Sequence, residues 1–247
     1  TDLGCLGVDS YRRVEACEVV YLGVEMLNLR DRSCPSENVC IGIHDEVRLR
    51  GLARSVAELS CLGKAKAKGF SSATAIAGGV TIRGDWPEVW RANLAIRGAS
   101  RILARIAAFR AMHLAQLDKR ARKFPWSETL RPDVPVKVEV TCKKSRIYHA
   151  GAAAQRIETA IREELGAPIS PEAELCVMAR FEDNLCTISI DTSGESLHKR
   201  GYKEAVAKAP MRETMASLFL RQCGYDGTET VVDPMCGSGT FVIEAAE

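Results

Sequence analysis

One stretch near the end of the 247-residue sequence decides the fold class: residues 230–246 read TVVDPMCGSGTFVIEAA. It begins with β-branched residues, which favour a strand. A loop of small residues around Gly237 and Gly239 follows, and from about Thr240 onward the composition favours a helix. This order predicts a strand, a tight loop and a helix, which is the repeating unit of α/β folds.

The loop of this unit has the composition of a turn that binds a nucleotide-like cofactor. Gly237 and Gly239 let the backbone turn sharply and approach a ligand closely. The following helix would direct its amide groups and dipole at a carboxylate or another anion. Asp233 could bind an ammonium group or order the loop. The alternative is a tight turn in an unrelated α/β domain, but the eight-residue pattern from Asp233 to Thr240 favours a cofactor site.

The overall composition, 46% hydrophobic and 27% charged, is that of an ordinary globular protein. No run of about 18 apolar residues predicts a membrane span. Residues 1–20 lack the basic start and apolar block of a secretory signal. The ten cysteines contain no Cys-x-x-Cys pair and no zinc-like spacing with histidine. We therefore predict a cytoplasmic protein with reduced thiols and without a metal site.

Positive charge is clustered although the net charge is only +2. Between Arg97 and Lys123 there are eight basic residues and one acidic residue. Smaller basic groups follow at residues 143–146 and 199–203. Each group alone is compatible with a solvated face, whereas three groups in one chain make nucleic-acid binding an equal alternative.

Hydrophobic periodicity predicts mixed helices and strands in the first half of the chain. Asp85 as cap and Pro87 in the first turn indicate a helix that runs to Leu94. Residues 114–123 are predicted to be a helix with cations at its carboxyl end. Residues 102–109 fit a helix and a buried strand equally well. Before them the pattern indicates a helix at 57–68 and a strand pair or bent strand at 73–82, whereas residues 1–60 have no clear period.

The second half is patterned more clearly. Alternation, apolar faces and turn residues predict five elements: a strand at 136–140, a helix at 150–165 closed by Gly166, strands at 175–181 and 185–190 joined by a turn at 182–184, and a helix at 209–223 with Pro210 in its first turn. A strand, a helix and two strands in this order indicate a layered α+β module.

The terminal loop resembles motif I of S-adenosylmethionine-dependent methyltransferases that act on exocyclic amino groups of nucleic-acid bases. Upstream, Asp191–Tyr202 (DTSGESLHKRGY) and Ala209–Thr214 (APMRET) resemble the joint between a THUMP domain and its methyltransferase domain. Together these motifs resemble the bacterial THUMP-containing guanine-N2 methyltransferases of large-subunit ribosomal RNA. The resemblance covers roughly residues 63–247 and does not extend into residues 1–60.

The resemblance implies an α+β THUMP-type RNA-binding domain followed by the start of an α/β Rossmann-like methyltransferase domain. The implied boundaries are an uncertain segment at 1–62, a remnant of a ferredoxin-like domain at 63–88, the THUMP domain at 89–192, and a linker helix with the first βα unit at 193–247. The implied partner is ribosomal RNA, as a structured RNA, and the oligomeric state is left open.

The resemblance also implies a cofactor, S-adenosyl-L-methionine, bound at its methionine end. The residues that would line it are Asp233, Pro234, Cys236, Gly237, Ser238, Gly239 and Thr240. The family's base-gripping loop, of the Asn/Asp-Pro-Pro-Tyr type, is expected downstream of residue 247. No catalytic residue is therefore assigned, and the 247-residue chain is expected to be inactive by itself.

For RNA contact, the favoured segment is the predicted strand-to-helix loop at 143–149, which joins cations to an aromatic ring that could stack on a base. The candidate residues are Lys143, Lys144, Arg146, Tyr148 and His149 in the loop, and Arg200 and Tyr202 in the connector. For the two connector residues, holding the domain junction together is an equal alternative.

Three alternatives to the ribosomal RNA methyltransferase stay open. The chain could be an RNA-binding module without catalytic activity, or part of a transfer RNA guanine-N2 methyltransferase. It could also be a DNA amino-methyltransferase, because motif I is shared with that class. The segment Asp191–Tyr202 argues against the DNA enzyme.

Overall fold

The computed structural model describes residues 39–42, 62–63, 65–70, 72–76, 79–203, 206 and 210–247. These residues fall into two compact units. The central unit is Ile106–Ile188, and the split unit combines the described residues before Ile106 with Ser189–Glu247. The helix predicted at 57–68 is present at residues 62–63 and 65–67, Lys68 lies in a turn, and residues 57–61 and 64 lie outside the described part.

The sheet of the split unit contains β1 (Val39–Gly42), β2 (Thr74–Ile76), β3 (Gly79–Ile82) and the first half of β4 (Arg101–Arg110). The strand order is β2-β3-β1-β4, and all these pairs are antiparallel. Val39 lies opposite Ile82 on one side and Ala104 on the other. Of the two structures predicted for residues 73–82, the strand pair is therefore the correct one.

Helix α1 (Trp86–Ala95) follows this hairpin and begins as the sequence predicts. The Asp85 carboxylate accepts a hydrogen bond from the backbone N–H of Glu88, and Pro87 lies in the first turn. Val89 is fully buried on the inner face of the helix. The helix ends where Ile96 turns to an extended backbone conformation.

Strand β4 resolves the ambiguity of residues 102–109. Its burial alternates, with Ile102, Ala104 and Ile106 buried and their neighbours partly exposed. Leu103 and Ala107 on the partly exposed face are also apolar. The sequence therefore does not show the alternation of polar and apolar residues that would have predicted a strand.

The central unit contains α2 (Leu114–Lys123), a 3-10 turn (Trp126–Glu128), β5 (Val136–Lys143), α3 (Ala150–Leu165), β6 (Leu175–Glu182) and β7 (Leu185–Asp191), whose last three residues belong to the split unit. Strands β5 and β6 are parallel, and α3 forms the crossover between them. Strand β6 lies between β5 and β7. The strands, the helices and the turn at 182–184 that were predicted here are confirmed, although β5 extends three residues further, to Lys143.

The core of the central unit forms where α3 packs against β5 and α2. Ile157 and Ile161 on the inner face of α3 are fully buried, and each contributes about 1.5–3 kcal/mol of transfer free energy. The buried Trp126 ring donates its Nε1–H to the carbonyl oxygen of Ala121 at 2.8 Å. Gly166 ends α3 in the left-handed conformation at φ +81°. The loop at residues 143–149 leads directly into this packed helix.

Helix α4 (Glu213–Gln222) begins later than the sequence predicts. The predicted start, residue 209, lies outside the described residues. The predicted first turn at Pro210 is wrong, because residues 210–212 are not helical and Arg212 has an extended backbone, at φ −73° and ψ 138°. The carbonyl oxygen of Met211 accepts a hydrogen bond from Lys203 Nζ at 2.7 Å, so it binds a side chain and not a backbone N–H of the helix. The helix ends at Gln222, one residue before the predicted end, and Gly224 follows at φ +85°, as the sequence predicts for a helix end.

Helix α5 (Thr240–Ala246) begins where the sequence predicts, but the strand before it does not form. Residues 230–233 are not part of a strand, and Val232 is 81% exposed. A strand needs a neighbouring strand to satisfy its backbone groups. No strand of the described residues pairs with this segment, so β propensity alone does not make it one.

Candidate functional site

The candidate cofactor loop, Asp233–Thr240, is shaped by two left-handed glycines. Gly237 has φ +52° and Gly239 has φ +71°. A non-glycine residue in this conformation costs about 1–2 kcal/mol. The N–H of Gly239 donates to the carbonyl oxygen of Cys236 at 2.7 Å, which closes the turn directly before α5.

Asp233 orders the start of this loop. Its Oδ1 atom accepts a hydrogen bond from the N–H of Met235 at 3.0 Å. Of the two roles predicted for Asp233, this is the loop-ordering one, and the carboxylate keeps further acceptor capacity for an ammonium group. Pro234, Cys236 and Gly237 are exposed beside it, so this face of the loop is open to solvent.

Thr240 anchors the end of the loop. It is 4% exposed, and its hydroxyl donates to the carbonyl oxygen of Met211 at 3.4 Å. Met211 also accepts from Lys203, whose ammonium group lies 3.1 Å from Glu213 in a largely buried ion pair. The first turn of α5 is thereby joined to the segment that precedes α4.

A buried ion pair that the sequence does not reveal also anchors α5. The Arg97 guanidinium donates two hydrogen bonds to the Glu244 carboxylate, one of them from Nε at 3.1 Å. The Glu244 side chain is fully buried, and that of Arg97 is 9% exposed. Burial lowers the pKa of Arg97, but the hydrogen bond and charge of Glu244, with a smaller contribution from Glu247, outweigh this and raise the pKa. Because 147 positions separate the partners, no local pattern could have paired them.

The connector motif Asp191–Ser193 is also part of the scaffold. The Asp191 carboxylate is paired with Arg101 and accepts the N–H of Ser193. The Ser193 hydroxyl accepts the N–H of Ile102 and donates to the side-chain oxygen of Asn93. These buried polar groups join α1 and β4 to the chain that leads toward the cofactor loop.

Arg200 and Tyr202 both lie against this scaffold. The guanidinium of Arg200 donates to the carbonyl oxygens of Leu94 and Ile96 at the end of α1, and burial lowers its pKa. The Tyr202 ring is half exposed, with the Arg97 guanidinium 5.1 Å from its centre. These are the contacts of the junction role. A role in RNA binding stays a prediction for both residues.

The predicted RNA-binding loop of the central unit, Lys143–His149, is exposed and cationic. The Tyr148 side chain is 83% exposed. Lys143 lies 3.3 Å from Glu182, whereas Lys144 and Arg146 have no carboxylate partner among the residues that the structure describes. His149 caps α3, because its Nδ1 atom accepts the N–H of Ala152 at 3.2 Å.

An open apolar groove borders the cofactor loop. It is lined by Phe219, Leu220, Cys223, Val231, Val232, Asp233 and Phe241. Asp233 is its one charged residue, so the groove offers apolar surface with a single acceptor at its edge. Within the described residues, no group of three or more His, Cys, Asp and Glu side chains could hold a metal ion. None of the described helices is both long enough and apolar enough to span a membrane.

Two ribosomal RNA large subunit methyltransferases K/L are similar to this chain. The protein from Syntrophotalea carbinolica is 34% identical over 179 residues, which is 68% of this chain and 25% of that protein. The protein from Psychromonas ingrahamii is 30% identical over 188 residues, which is 73% of this chain and 25% of that protein. The chain therefore spans about a quarter of the length of these two curated relatives.

Solved structures share the fold over most of the chain. A structure from Listeria monocytogenes, described as a predicted N6-adenine-specific DNA methylase, is 25% identical with a TM-score of 0.72. The match covers 85% of this chain and 54% of that one. The structure of SMU.472 complexed with SAH has a TM-score of 0.71 at 24% identity over the same shares, a likeness that concerns the fold alone.

Family models match both parts of the split unit. Residues 64–103 match the RlmL ferredoxin-like domain, and residues 200–247 match the methyltransferase domain described as RMKL-like. With the shared fold, these matches confirm the predicted fold class, a THUMP-type α+β part followed by the start of an α/β methyltransferase domain. Residues 64–103 thus belong to the RlmL ferredoxin-like domain family, and residues 200–247 belong to the RMKL-like methyltransferase domain family.

Proposed function

We propose that this chain is the RNA-binding part and the cofactor-loop segment of an S-adenosylmethionine-dependent methyltransferase that modifies large-subunit ribosomal RNA at the N2 amino group of a guanine. The observation that carries the proposal is the geometry of the loop Asp233–Thr240, inside the segment that matches the RMKL-like methyltransferase domain. The names of the two similar methyltransferases support ribosomal RNA as the substrate class. A cytoplasmic location belongs to the same proposal.

The cofactor loop fits the methionine end of S-adenosyl-L-methionine. Gly237 and Gly239 shape a turn that is open on one side, and the Asp233 carboxylate beside it can accept from an ammonium group. We assign cofactor contact to Asp233, Pro234, Cys236, Gly237, Ser238, Gly239 and Thr240. The match of residues 200–247 to the RMKL-like methyltransferase domain supports this class of ligand.

When bound, S-adenosyl-L-methionine supplies a methyl group on a sulfonium, which an amino nitrogen can attack directly. This chemistry depends on alignment and on the exclusion of water more than on an acid or a base. In this chain, the Asp233–Thr240 loop would orient the cofactor, and the pairing of Arg97 with Glu244 would hold the helix that comes after the loop. None of the described residues is assigned to gripping the base.

RNA binding is assigned to the central unit. Lys144 and Arg146 supply positive charge, and Tyr148 supplies an exposed aromatic face. Cations of this kind bind phosphates, and an aromatic ring can stack on an unpaired base. Lys143 and His149 lie in the same loop and complete the proposed contact set.

The DNA methylase is the alternative that one comparison favours, through the description of the Listeria monocytogenes structure. The match to the RlmL ferredoxin-like domain and the higher identity to the ribosomal RNA methyltransferases favour RNA over DNA. An inactive RNA-binding module would differ from the leading proposal in lacking methyl transfer, and a transfer RNA enzyme would differ from it in the substrate RNA.

The test is the modification of RNA in cells that lack the gene and in cells that regain the complete reading frame. N2-methylguanosine would be measured by nucleoside mass spectrometry in large-subunit ribosomal RNA and in transfer RNA. The deletion strain should lose N2-methylguanosine from its ribosomal RNA, and complementation should restore it. Complementation with Gly239→Val should fail, because valine is strained in the left-handed conformation of this position. Unchanged ribosomal RNA would refute the proposal, and a loss confined to transfer RNA would support the alternative substrate.

A further inference from the structure

We propose that one end of the central unit binds an unpaired stretch of RNA and that Asn184 is the residue that holds this surface in shape. The surface, called the tip surface here, consists of the loop Lys143–His149, the hairpin turn Asp183–Leu185 and the turn Ala111–His113. The inference rests on the proposed function and deepens it, because it names the form of RNA and the residue that organises the site.

Asn184 joins the three segments of the tip surface. Its Oδ1 atom accepts the N–H of Arg146 at 2.8 Å, and its own N–H donates to the Ser145 hydroxyl at 3.0 Å. Its carbonyl oxygen accepts the N–H of Ala111 at 2.9 Å. One residue at the hairpin turn therefore binds the cationic loop on one side and the turn that precedes α2 on the other.

The backbone at the hairpin turn explains why asparagine suits this position. Asp183 and Asn184 have φ values of +50° and +65°, both in the left-handed region. This is the conformation of a two-residue turn between antiparallel strands, and asparagine tolerates it better than most residues. Asn184 thus serves the turn with its backbone and the neighbouring loop with its side chain.

Further hydrogen bonds fix the two flanking segments internally. The Ser145 hydroxyl donates to the carbonyl oxygen of Lys143 at 3.1 Å. In the second turn, Gln116 Oε1 accepts the N–H of Met112 at 3.0 Å. A loop that is ordered before binding loses less conformational entropy when it binds. These contacts therefore favour recognition by a surface that is already formed.

The tip surface presents apolar side chains beside cations. Tyr148, Leu185 and Met112 are 83%, 41% and 39% exposed. Each lies within two residues of a hydrogen bond made by Asn184, and Lys144 and Arg146 stand among them. On the acidic side, Glu182 is engaged by Lys143 at 3.3 Å and by Arg180 at 3.0 Å, and Asp183 is the other carboxylate of the turn.

This combination fits unpaired nucleotides better than a duplex. A paired RNA helix hides the faces of its bases and offers mainly phosphates and 2′-hydroxyl groups. An unpaired nucleotide offers a base face, on which an exposed aromatic ring such as that of Tyr148 can stack. The cations Lys144 and Arg146 add attraction for the backbone phosphates, which an apolar protein partner would not need.

The test compares three labelled RNAs of equal length by fluorescence anisotropy with the 247-residue chain: an unstructured single strand, a blunt duplex, and a hairpin with a large loop. The single strand and the looped hairpin should bind more tightly than the duplex. Tyr148→Ala should weaken single-strand binding about tenfold, because stacking contributes roughly 1–3 kcal/mol per base. Tyr148→Phe keeps the ring and should keep the affinity.

The role of Asn184 is tested with Asn184→Gly. Glycine keeps the left-handed backbone but removes the acceptor for the N–H of Arg146. Single-strand affinity should fall, and amide hydrogen exchange at residues 145–148 should rise, while the helix amides of α3 keep their protection. The dependence of affinity on salt should stay as in the wild type, since every cation remains. Unchanged affinity in this variant would overturn the assignment of Asn184 as a positioning residue.

The outcomes separate this inference from the proposed function. Equal binding of all three RNAs, with no effect of Tyr148→Ala, would overturn the inference but leave RNA binding intact. An absence of any RNA binding would overturn both. If the surface binds a second copy of the chain instead, Tyr148→Ala would change the sedimentation coefficient and not the RNA affinity, and the inference would again fail.

Discussion

The tip surface and the cofactor loop differ in how much of a site their own neighbourhood supplies. At the tip, three short segments are joined through Asn184, and the side chains they present are ready for a ligand. At the cofactor loop, two glycines shape the turn and a buried ion pair holds the following helix. The segment before that loop is nevertheless unpaired and exposed, with Val232 81% exposed.

The two regions differ because RNA and a small-molecule cofactor need different kinds of binding site. A nucleic-acid surface needs charge and ring faces on a rigid support, which one layer of short loops can provide. A small-molecule site has to enclose its ligand, which needs walls from several elements. We therefore expect the described residues to suffice for RNA binding and to supply only one wall of a cofactor site.

The largest effect is expected at the anchor of the cofactor loop. Arg97→Met leaves the Glu244 carboxylate buried without its partner, which costs about 3–5 kcal/mol of unfolding free energy. Urea denaturation, together with hydrogen exchange of α1 and α5, measures this. Exchange at residues 145–148 of the tip surface should not change.

The matched control is the double variant Arg97→Met with Glu244→Leu. It removes both charges and replaces them with apolar side chains, so most of the lost stability should return. If the double variant has no higher unfolding free energy than Arg97→Met alone, the buried Glu244 charge does not need Arg97 as its partner. That result would contradict the role of this ion pair as the anchor of α5.

Sequence reasoning succeeded where local signals set the structure. The bounds of α2 and α3 were predicted correctly, since the apolar face of each helix and the left-handed Gly166 are properties of neighbouring residues. The loop at 143–149 and the glycine turn before Thr240 were found for the same reason. Both are short segments whose composition carries the signal.

Sequence reasoning failed where distant residues decide. The start of α4 was placed at residue 209, but contacts of the Met211 carbonyl with Lys203 and Thr240 belong to tertiary structure. The strand at 230–232 was predicted from β propensity, although a strand also needs a partner. Asn184 looked like a turn residue only, because its side-chain contact with the loop lies 38 residues away.

A smaller effect is expected from two glycines at the two ends of α3, the helix that follows the loop of the tip surface. Gly166→Ala should lower the unfolding free energy by about 1–2 kcal/mol, because alanine is strained at φ +81°. Gly151→Ala should raise it by about 0.5–1 kcal/mol, since this position lies in the first turn of the helix and the added methyl group would meet His149 at an ordinary contact distance. Thermal denaturation of both variants measures the contrast, and effects of the same sign would contradict the geometry of α3.

The smallest effect is expected from single cations. Arg146→Ala should reduce the slope of log affinity against log salt concentration by about 0.7, the value for one phosphate contact with a single strand. Arg162→Ala removes the same charge from an exposed position about 18 Å away along α3. The Arg162→Ala control should leave the slope unchanged. If both variants reduce the slope equally, the positive charge of the whole central unit attracts the RNA, and the tip surface is not its specific binding site.

The contrast between the two regions is tested most directly by the salt dependence of RNA binding of the unmodified 247-residue chain. The anisotropy of a labelled single-stranded RNA would be measured between 50 and 200 mM salt, with and without S-adenosyl-L-methionine. We predict binding with a slope of about −1.4 or steeper, from at least two phosphate contacts of roughly 0.7 each. Adding S-adenosyl-L-methionine should change neither the RNA affinity nor this slope, because the cofactor loop supplies only one wall of a binding site and does not hold the cofactor tightly. Binding that is absent or independent of salt, or that needs the cofactor, would contradict the account.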